Sequence, residues 1–192
     1  MSRPNFALIG RARSGKDSTA LRLGWAHGYT RLAFADALKT SALDLDPIVA
    51  SVAGEELKLS YLVNRWGWDH AKERHPEVRR ILQYMGQGIR DMDPDFWLRP
   101  VLNQIEGAKR LGWPVVVTDV RYRNEVEALK AEGFRTVRVI RPRYPVHTAT
   151  AQELTNRRHR SETELDSYAC DLTLNNDSGL RELSRQVDAL LS

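Results

Sequence analysis

The sequence contains one cysteine, few lysines and no long apolar run. The single cysteine, Cys170, excludes an internal disulfide framework and fits the reducing conditions of the cytoplasm. No stretch approaches the roughly 20 consecutive apolar residues that a membrane-spanning helix needs. The N-terminus, Met1–Asn5, leads directly into a short apolar segment and does not have the form of a signal peptide. We therefore expect a cytoplasmic protein without a membrane partner.

The shortage of lysine is matched by an excess of arginine, since the 29 basic residues comprise 23 Arg and 6 Lys. A guanidinium grips phosphate through two parallel hydrogen bonds, so this ratio suits a phosphate-rich ligand. A genome that favours arginine codons would produce the same ratio. The net charge of +4 also permits nucleic-acid binding, although acidic residues are interspersed throughout and the sequence has no unbroken basic arm. Charge alone does not decide between these interpretations.

The length of 192 residues suits one domain with a sizeable core. Short apolar runs alternate with segments of helical spacing, which is typical of an α/β fold with a mostly parallel sheet. Val115–Val117 is a β-branched run without alternation, as expected of a central strand buried on both faces. The segment Tyr144–Tyr168 is polar and rich in His, Arg and Thr, so we expect it to form an excursion from the core.

Apolar spacing and the positions of glycine and proline predict the individual elements. Gly67 and Pro76 interrupt the helical spacing of residues 55–91. Asp93 followed by Pro94 has the form of a helix N-cap with proline at the first helical position. The predicted strands are Phe6–Ile9, Tyr29–Phe34, Val115–Val117, Thr136–Ile140 and Leu172–Leu174. The other predicted helices are Ser14–Leu23, Asp36–Val49, Pro94 to about Leu111, Asn124–Glu132 and Leu180–Leu191.

The segment Gly10–Lys16 has the pattern G-x-x-x-x-G-K between the first predicted strand and a helix. Glycines allow the backbone to curl so that successive N–H groups point at phosphate oxygens, and the helix N-terminus adds partial positive charge. Lys16 is then placed to reach the β- and γ-phosphates of ATP. A glycine turn that only caps a helix is the alternative. The predicted ATP-binding residues here are Gly10, Arg13, Ser14, Gly15, Lys16, Asp17 and Ser18.

The residue after this lysine departs from the usual pattern, because Asp17 stands where Ser or Thr normally holds Mg²⁺. Ser18 follows directly, so a hydroxyl is close but shifted along the helix. Asp119, just beyond the Val115–Val117 strand, can orient Mg²⁺-bound water or cap the helix that follows. Asp17, Ser18 and Asp119 are therefore the candidate metal ligands, and the sequence leaves open which of them serves.

Several arginines suit the charge that develops in phosphoryl transfer. Arg121 follows the same strand as Asp119 and can hold a phosphate through its fork. The run Arg157–Arg160 is the densest basic cluster, and arginines that close over a transferring phosphate stabilise its charge and exclude water. A nucleic-acid patch or a solvated basic face would have the same composition. We predict Lys16, Arg121, Arg157 and Arg160 as the catalytic residues.

Four further polar or aromatic residues are candidates for contacts with the base or the phosphate of a nucleotide. Gln83 and Arg90 lie seven residues apart on a predicted helix and share a face, where an amide suits a base edge and a guanidinium its phosphate. A solvated helix face would show the same pattern. Trp97 can stack on a base, although such aromatics belong more often to the core. Asn176 either reads the adenine of ATP or serves the conformation of an Asn-rich turn.

Several short blocks of residues, spread over nearly the whole chain, match the blocks of a known family in the same order. They are Gly10–Thr19 with its Gly-Lys-Asp-Ser-Thr ending, Phe34–Lys39, Leu82–Gly86 with Arg90, Asp95–Trp97, Thr118–Arg121 with Asn124 and Glu125, His159–Glu162, and Asn175 with Asn176. Each block is weak by itself. As an ordered set they resemble the phage-type deoxynucleoside monophosphate kinases, which share the Gly-Lys-Asp variant.

This resemblance implies a three-layer P-loop fold like that of adenylate kinase, with a mostly parallel five-stranded sheet. It implies a core of residues 1–50, 94–142 and 169–192, a helical acceptor-binding region at 51–93 and a lid at 143–168. The implied reaction is Mg²⁺-assisted transfer of the γ-phosphate of ATP to a deoxynucleoside monophosphate. The implied acceptor-binding residues are Asp36, Lys39, Gln83, Arg90, Trp97 and Arg121.

The expected partners are small-molecule nucleotides, with no nucleic acid and no membrane, and a homodimer is left open. If the gene is carried by a phage, the location is the host cytoplasm. One rival is a P-loop kinase of another phosphorylated acceptor, of the dephospho-coenzyme A or phosphomevalonate type. A second rival is a nucleotide-regulated nucleic-acid-binding protein that uses its arginines on a polymer.

Overall fold

The computed structural model of the chain describes residues 3–52, 54–142 and 163–191. The described chain is a mixture of strands and helices, as the apolar pattern predicts. Its strands are β1 (Asn5–Ile9), β2 (Thr30–Leu32), β3 (Ile48–Val52), β4 (Glu55–Lys58), β5 (Val115–Val120), β6 (Phe134–Ile140) and β7 (Leu172–Asn175). Its helices are α1 (Lys16–His27), α2 (Phe34–Leu45), α3 (Leu59–Arg74), α4 (Pro76–Met92), α5 (Leu98–Arg110), α6 (Arg123–Ala131) and α7 (Leu180–Ala189).

The chain divides into two compact units. A core unit comprises Met1–Ala33 and Val101–Ser192, and a helical unit comprises Phe34–Pro100. The sequence-based boundaries of the helical region, 51 and 93, lie inside the second unit. No helix in the described ranges combines the length and the apolar character that a membrane span needs.

The core unit contains a five-stranded sheet in the order β2-β5-β1-β6-β7, and every neighbouring pair is parallel. The sequence predicted a mostly parallel five-stranded sheet, and this prediction is confirmed. Val115, Val116 and Val117 are fully buried in β5, which lies between β2 and β1. Their burial on both faces explains why this strand shows no alternation of apolar and polar residues.

The order of the strands determines which face each helix covers. The chain leaves β1 through α1 towards β2 at one edge, and it leaves β5 through α6 towards β6 in the opposite direction. Since such crossovers are right-handed, α1 and α6 lie on opposite faces of the sheet. On the α1 face, Leu23 of α1 and Leu183 of α7 pack with Phe6 and Leu8 of β1 in one apolar cluster. The unit therefore has three layers.

The helical unit has a separate apolar core and a two-stranded antiparallel sheet. Ala42 of α2, Leu59 and Leu62 of α3 and Val78 of α4 pack together with Val49 of β3. The strands β3 and β4 form a hairpin. As the sequence predicted, Gly67 (φ 77°) interrupts the helical backbone within α3, and Pro76 begins α4.

Two predicted elements of this region are wrong. The helix predicted to reach Val49 ends at Leu45, because Pro47 disfavours the right-handed helical conformation for Asp46, which instead has a φ of 42°. Residues 48–58 are then free to form the hairpin. The helix predicted to begin at Pro94 begins at Leu98, since the amide of Asp93 still donates to Ile89 O (2.9 Å) and closes α4.

Candidate active site

The phosphate loop lies where the connections of two adjacent strands diverge. Strands β1 and β5 are neighbours, and Ile9 at the end of β1 pairs with Val120 at the end of β5. The chain continues from them to opposite faces and opposite sides of the sheet. Such a point opens a crevice at the carboxyl ends of the strands, where α/β proteins bind their ligands. Gly10 and Arg121 are the next residues, and both line a cavity of about 20 Å³ there.

Two glycines of the loop occupy places that no side chain could share. Gly10 has a φ of 157°, and a Cβ on it would lie 2.5 Å from Val139 O of β6. Gly15 has a φ of 111°, and a Cβ on it would lie 2.5 Å from Asn176 Nδ2. Both contacts are far shorter than van der Waals separation. The glycines of the motif therefore allow the loop to lie against β6 and against the segment after β7.

Lys16 begins α1 and is 7% exposed. Its ammonium donates hydrogen bonds to Gly10 O (2.7 Å) and Arg11 O (2.9 Å), so the side chain folds back over the loop. These two carbonyls hold the ammonium at the mouth of the loop. Ser14 Oγ, also in the loop, is buried and has no hydrogen-bond partner among the described residues. A buried hydroxyl and an ammonium beside a helix N-terminus are a donor set that fits the phosphates of a nucleotide.

Asn176 supports the loop from the end of β7. Its side chain is buried, and Nδ2 donates to Ser14 O at 2.9 Å, while its backbone amide donates to Ile140 O at 2.7 Å. Through its side chain and its backbone together, Asn176 thus connects the phosphate loop to the last two strands of the sheet. The predicted contact with adenine stays a prediction, and the bracing contact with Ser14 is a role that sequence reasoning missed.

A bulge and a buried carboxylate shape the second side of the crevice. Between Ala7 and Ile9 the partner strand advances from Val117 to Val120, so β5 has one extra residue in the stretch that contains Asp119. Such bulges change the direction of a side chain and are frequent beside active sites. Beyond the bulge, Glu125 is 2% exposed and accepts hydrogen bonds from the amides of Arg121 (2.8 Å) and Tyr122 (3.1 Å).

The predicted metal ligands are oxygen donors in the core unit. Asp17 is exposed and Ser18 half-buried in the first turn of α1, and Asp119 is half-buried at the end of β5. In the described part of the chain, no group of three or more His, Cys, Asp or Glu side chains could hold a metal ion. Magnesium in phosphotransferases takes one or two protein oxygens and completes its shell with phosphate oxygens and water. These carboxylates and this hydroxyl fit that requirement.

The predicted acceptor residues other than Arg121 all lie in the helical unit. Lys39 Nζ in α2 is 3.6 Å from Asp36 Oδ1 and 6.0 Å from the ring centre of Trp68. Gln83 and Arg90 lie in α4, where Gln83 is exposed and Arg90 half-buried. Trp97 is 3% exposed and donates through Nε1 to Gly86 O at 3.1 Å. Trp97 thus has a structural contact within its own unit, and its predicted contact with a base stays a prediction.

The predicted arginines Arg157 and Arg160 lie outside the described residues. The structure does describe the nearby segment Thr163–Tyr168, in which residues 164–167 form turns. Asp166 of this segment pairs with Arg11 of the phosphate loop, and Arg138 of β6 donates to two of its carbonyls. Sequence reasoning missed Arg11, Arg138 and Asp166, because no local pattern connects residues so far apart in the chain.

The family model for deoxynucleotide monophosphate kinase matches residues 67–187, more than half of the chain. The chain belongs to the deoxynucleotide monophosphate kinase family. This membership confirms the resemblance inferred from the ordered sequence blocks. The matched residues include Arg121 and Asn176 and begin after the phosphate loop.

This family member is also similar to a curated viral protein and to solved kinases. The uncharacterised protein ORF77 of Ictalurid herpesvirus 1 (strain Auburn) is 37% identical over 117 residues, which are 60% of this chain and 49% of that protein. The chain spans about half the length of this curated relative.

Dephospho-CoA kinase from Campylobacter jejuni superposes with a TM-score of 0.54 at 9% identity, covering 99% of this chain and 96% of that one. Shikimate kinase from Aquifex aeolicus gives a TM-score of 0.45 at 12% identity, covering 97% of this chain and 95% of that one. The first similarity supports the P-loop kinase fold that the sequence predicted.

Proposed function

We propose that the protein transfers the γ-phosphate of ATP to a deoxynucleoside monophosphate, forming the diphosphate and ADP. The observation that carries this proposal is the phosphate loop at the divergence of β1 and β5, with Lys16 folded over it and Arg121 on the same cavity. Membership of the deoxynucleotide monophosphate kinase family supports the choice of acceptor.

The proposed reaction needs charge and position more than it needs a covalent intermediate or a strong base. Lys16 binds the β- and γ-phosphates and neutralises the charge that spreads over the transferring oxygens. Arg121 fixes a phosphate through its fork from the other side of the crevice. In the proposal, Arg157 and Arg160 close over the same phosphates and exclude water that would hydrolyse ATP.

The acceptor is assigned to the helical unit. Gln83 is proposed to contact the base, Arg90 its phosphate, and Asp36 and Lys39 the remainder of the nucleotide. Mg²⁺, when bound with ATP, supplies further positive charge at the β- and γ-phosphates. Asp17, Ser18 and Asp119 would hold the ion directly or through water.

An ADP-release screen tests the acceptor. ATP and Mg²⁺ are supplied with each common ribo- and deoxynucleoside monophosphate, with dephospho-coenzyme A and with phosphomevalonate. We expect ADP formation with one or more deoxynucleoside monophosphates. ADP formation with only dephospho-coenzyme A, or with only phosphomevalonate, would overturn the acceptor assignment. Salt-dependent binding to DNA or RNA, combined with no ADP formation, would favour the nucleic-acid-binding rival instead.

Lys16→Ala tests the role of the loop itself. The variant should lose nearly all turnover, because it lacks the ammonium that neutralises the charge on the transferring phosphate oxygens. It should remain folded, as judged by circular dichroism and a cooperative thermal transition. Unchanged turnover in a folded variant would contradict the proposed function.

A further inference from the structure

Six residues cross the carboxyl ends of three adjacent strands in the core unit. This segment, Thr163–Tyr168, is called the strap. Leu165 anchors it, since that side chain is 5% exposed. The strap is also held by Arg138 of β6, whose Nη2 donates to Leu165 O (2.8 Å) and Tyr168 O (2.6 Å).

Two acidic side chains of the strap contact the phosphate loop and the first residue of α6. Glu164 Oε1 accepts a hydrogen bond from the amide of Arg123 (2.9 Å), two residues beyond Arg121. Asp166 accepts two hydrogen bonds from the guanidinium of Arg11, from Nε at 3.2 Å and from Nη2 at 2.5 Å. The strap therefore contacts the loop after β1, the first residue of α6 and a residue of β6.

These contacts bring several charged groups to one place. Arg11, Arg121, Arg138 and Asp166 line the same cavity of about 20 Å³, which has room for about one water molecule. Arg11 belongs to the phosphate loop, and its carbonyl accepts a hydrogen bond from Lys16 Nζ (2.9 Å). Arg11 thus shares this cavity with Arg121, and its backbone carbonyl contacts Lys16; both of these residues are already assigned to phosphate binding.

The pair between Arg11 and Asp166 contributes little to the stability of the fold. The two side chains are 45% and 41% exposed, and exposed ion pairs of this kind contribute about 0–1 kcal/mol. Burial of Leu165 and the two bonds from Arg138 hold the strap without it. A carboxylate that engages a guanidinium through two parallel bonds does, however, fix the plane of that guanidinium.

We propose that Asp166 is a positioning residue that orients Arg11 beside Arg121, so that Arg11 becomes an additional phosphate-binding cation. The inference rests on the proposed function for the identity of the nucleotide. It goes beyond that function in assigning two residues that neither the motif nor the predicted lid arginines include. Arg11 contacts the phosphates of ATP, and Asp166 acts only through Arg11.

The affinity for ATP, measured by calorimetry without any acceptor, tests this role. Arg11→Ala should weaken ATP binding at least tenfold, and Asp166→Asn should weaken it about threefold or more, because the guanidinium is no longer oriented. Asp166→Asn added to Arg11→Ala should have no further effect. Asp166→Glu, which keeps the charge, should recover part of the affinity.

The sign of the Asp166→Asn effect separates this proposal from simple charge repulsion. If Asp166 only opposes the negative phosphates, its removal will tighten ATP binding, and the proposal is overturned. The proposal would also be overturned if Asp166→Asn weakened ATP binding equally in the natural protein and in Arg11→Ala. Asp166 would then act on ATP without Arg11.

A matched control is available in the same unit. Arg22 and Asp188 form a two-bond pair of similar exposure between α1 and α7, at Nε–Oδ1 2.9 Å and Nη2–Oδ2 2.6 Å. Asp188→Asn removes the same charge and should leave ATP affinity unchanged. Because ATP binding needs no acceptor, a flat acceptor screen with intact ATP binding would refute the proposed function and leave the role of Asp166 measurable.

Discussion

Glu125 accepts hydrogen bonds from two consecutive backbone amides while its side chain is almost fully buried. Both amides belong to the turn that carries Arg121, so this carboxylate determines the path of the backbone at a predicted catalytic residue. A glutamate placed three residues into a helix and reaching back to the preceding amides has the form of one half of a capping box. Burial makes the arrangement stronger than its exposed counterpart, because the amides have no water to replace the carboxylate.

Glu125→Gln should lower the free energy of unfolding by about 1.5–3 kcal/mol, because both backbone amides donate to Oε2 and would then face a neutral oxygen instead of a charged one. Urea denaturation measures this change. Glu127→Gln, at an exposed position on the same helix, is the control and should change stability by less than about 0.5 kcal/mol. Equal effects at the two positions would contradict a special role for the buried carboxylate.

Among the helices of the helical unit, α2 and α4 approach each other closely at one glycine. A Cβ on Gly86 would lie 3.1 Å from Leu38 Cδ2, and the carbonyl of Gly86 accepts the indole N–H of Trp97. Gln83 and Arg90 share the helix face of Gly86, because steps of three, four and seven residues return to one side of a helix. Both helices of this close approach carry predicted acceptor residues, Asp36 and Lys39 on α2 and Gln83 and Arg90 on α4.

The pair of variants Gly86→Ala and Gly88→Ala tests this helix crossing. Alanine is favoured over glycine inside a helix by about 0.8–1 kcal/mol, and a Cβ on Gly88 would have no heavy atom within 4 Å in the described structure. Gly88→Ala should therefore raise the free energy of unfolding by about that amount. The free energy of unfolding of Gly86→Ala should be at least about 1 kcal/mol lower than that of Gly88→Ala, because Leu38 must move.

Chemical denaturation of the two variants gives this difference directly. If Gly86→Ala is as stable as Gly88→Ala, the helices do not meet closely at this position. A rise in the Michaelis constant for the acceptor in Gly86→Ala alone would support the predicted acceptor role of residues on these two helices.

At the scale of the whole molecule, ion pairs join elements that are distant in sequence. Asp188 of α7 accepts two hydrogen bonds from Arg22 of α1, and its Oδ1 lies 2.8 Å from His27 Nε2 at the end of the same helix. These contacts lower the pKa of Asp188 to about 2, with the hydrogen bonds from Arg22 as the largest cause. They connect the helix that begins at the phosphate loop with the last helix of the chain.

The lowered pKa predicts how this connection depends on pH. A carboxyl group whose pKa falls on folding stabilises the native state above its ordinary pKa of 3.8 and loses that contribution as pH falls towards 2. Asp188→Asn should therefore be less stable than the natural protein at pH 7, and the difference should shrink between pH 4 and pH 2. Urea denaturation at a series of pH values measures both curves. A difference that does not depend on pH would show that the charge of Asp188 contributes nothing.

Local sequence patterns predicted the phosphate loop and the alternation of strands and helices correctly. The loop is short, and its motif residues have requirements that can be read from the chain: glycine where a Cβ would collide, and lysine where a cation is needed. The β-branched run at Val115–Val117 likewise predicted a buried central strand. The hairpin of β3 and β4 was missed because its apolar residues also fit a helical spacing, and only Pro47 argued against the helix.

The sequence by itself determined the fold class, the position of the phosphate loop and, through the order of short motifs, the kinase family. These features depend on backbone requirements and on contacts between near neighbours in the chain. The tertiary structure alone decided that Asn176 braces Ser14 and that Asp166 holds Arg11. Those pairs are separated by 162 and 155 residues. Which side chains meet at the carboxyl ends of a parallel sheet depends on strand order, and no local pattern encodes that order.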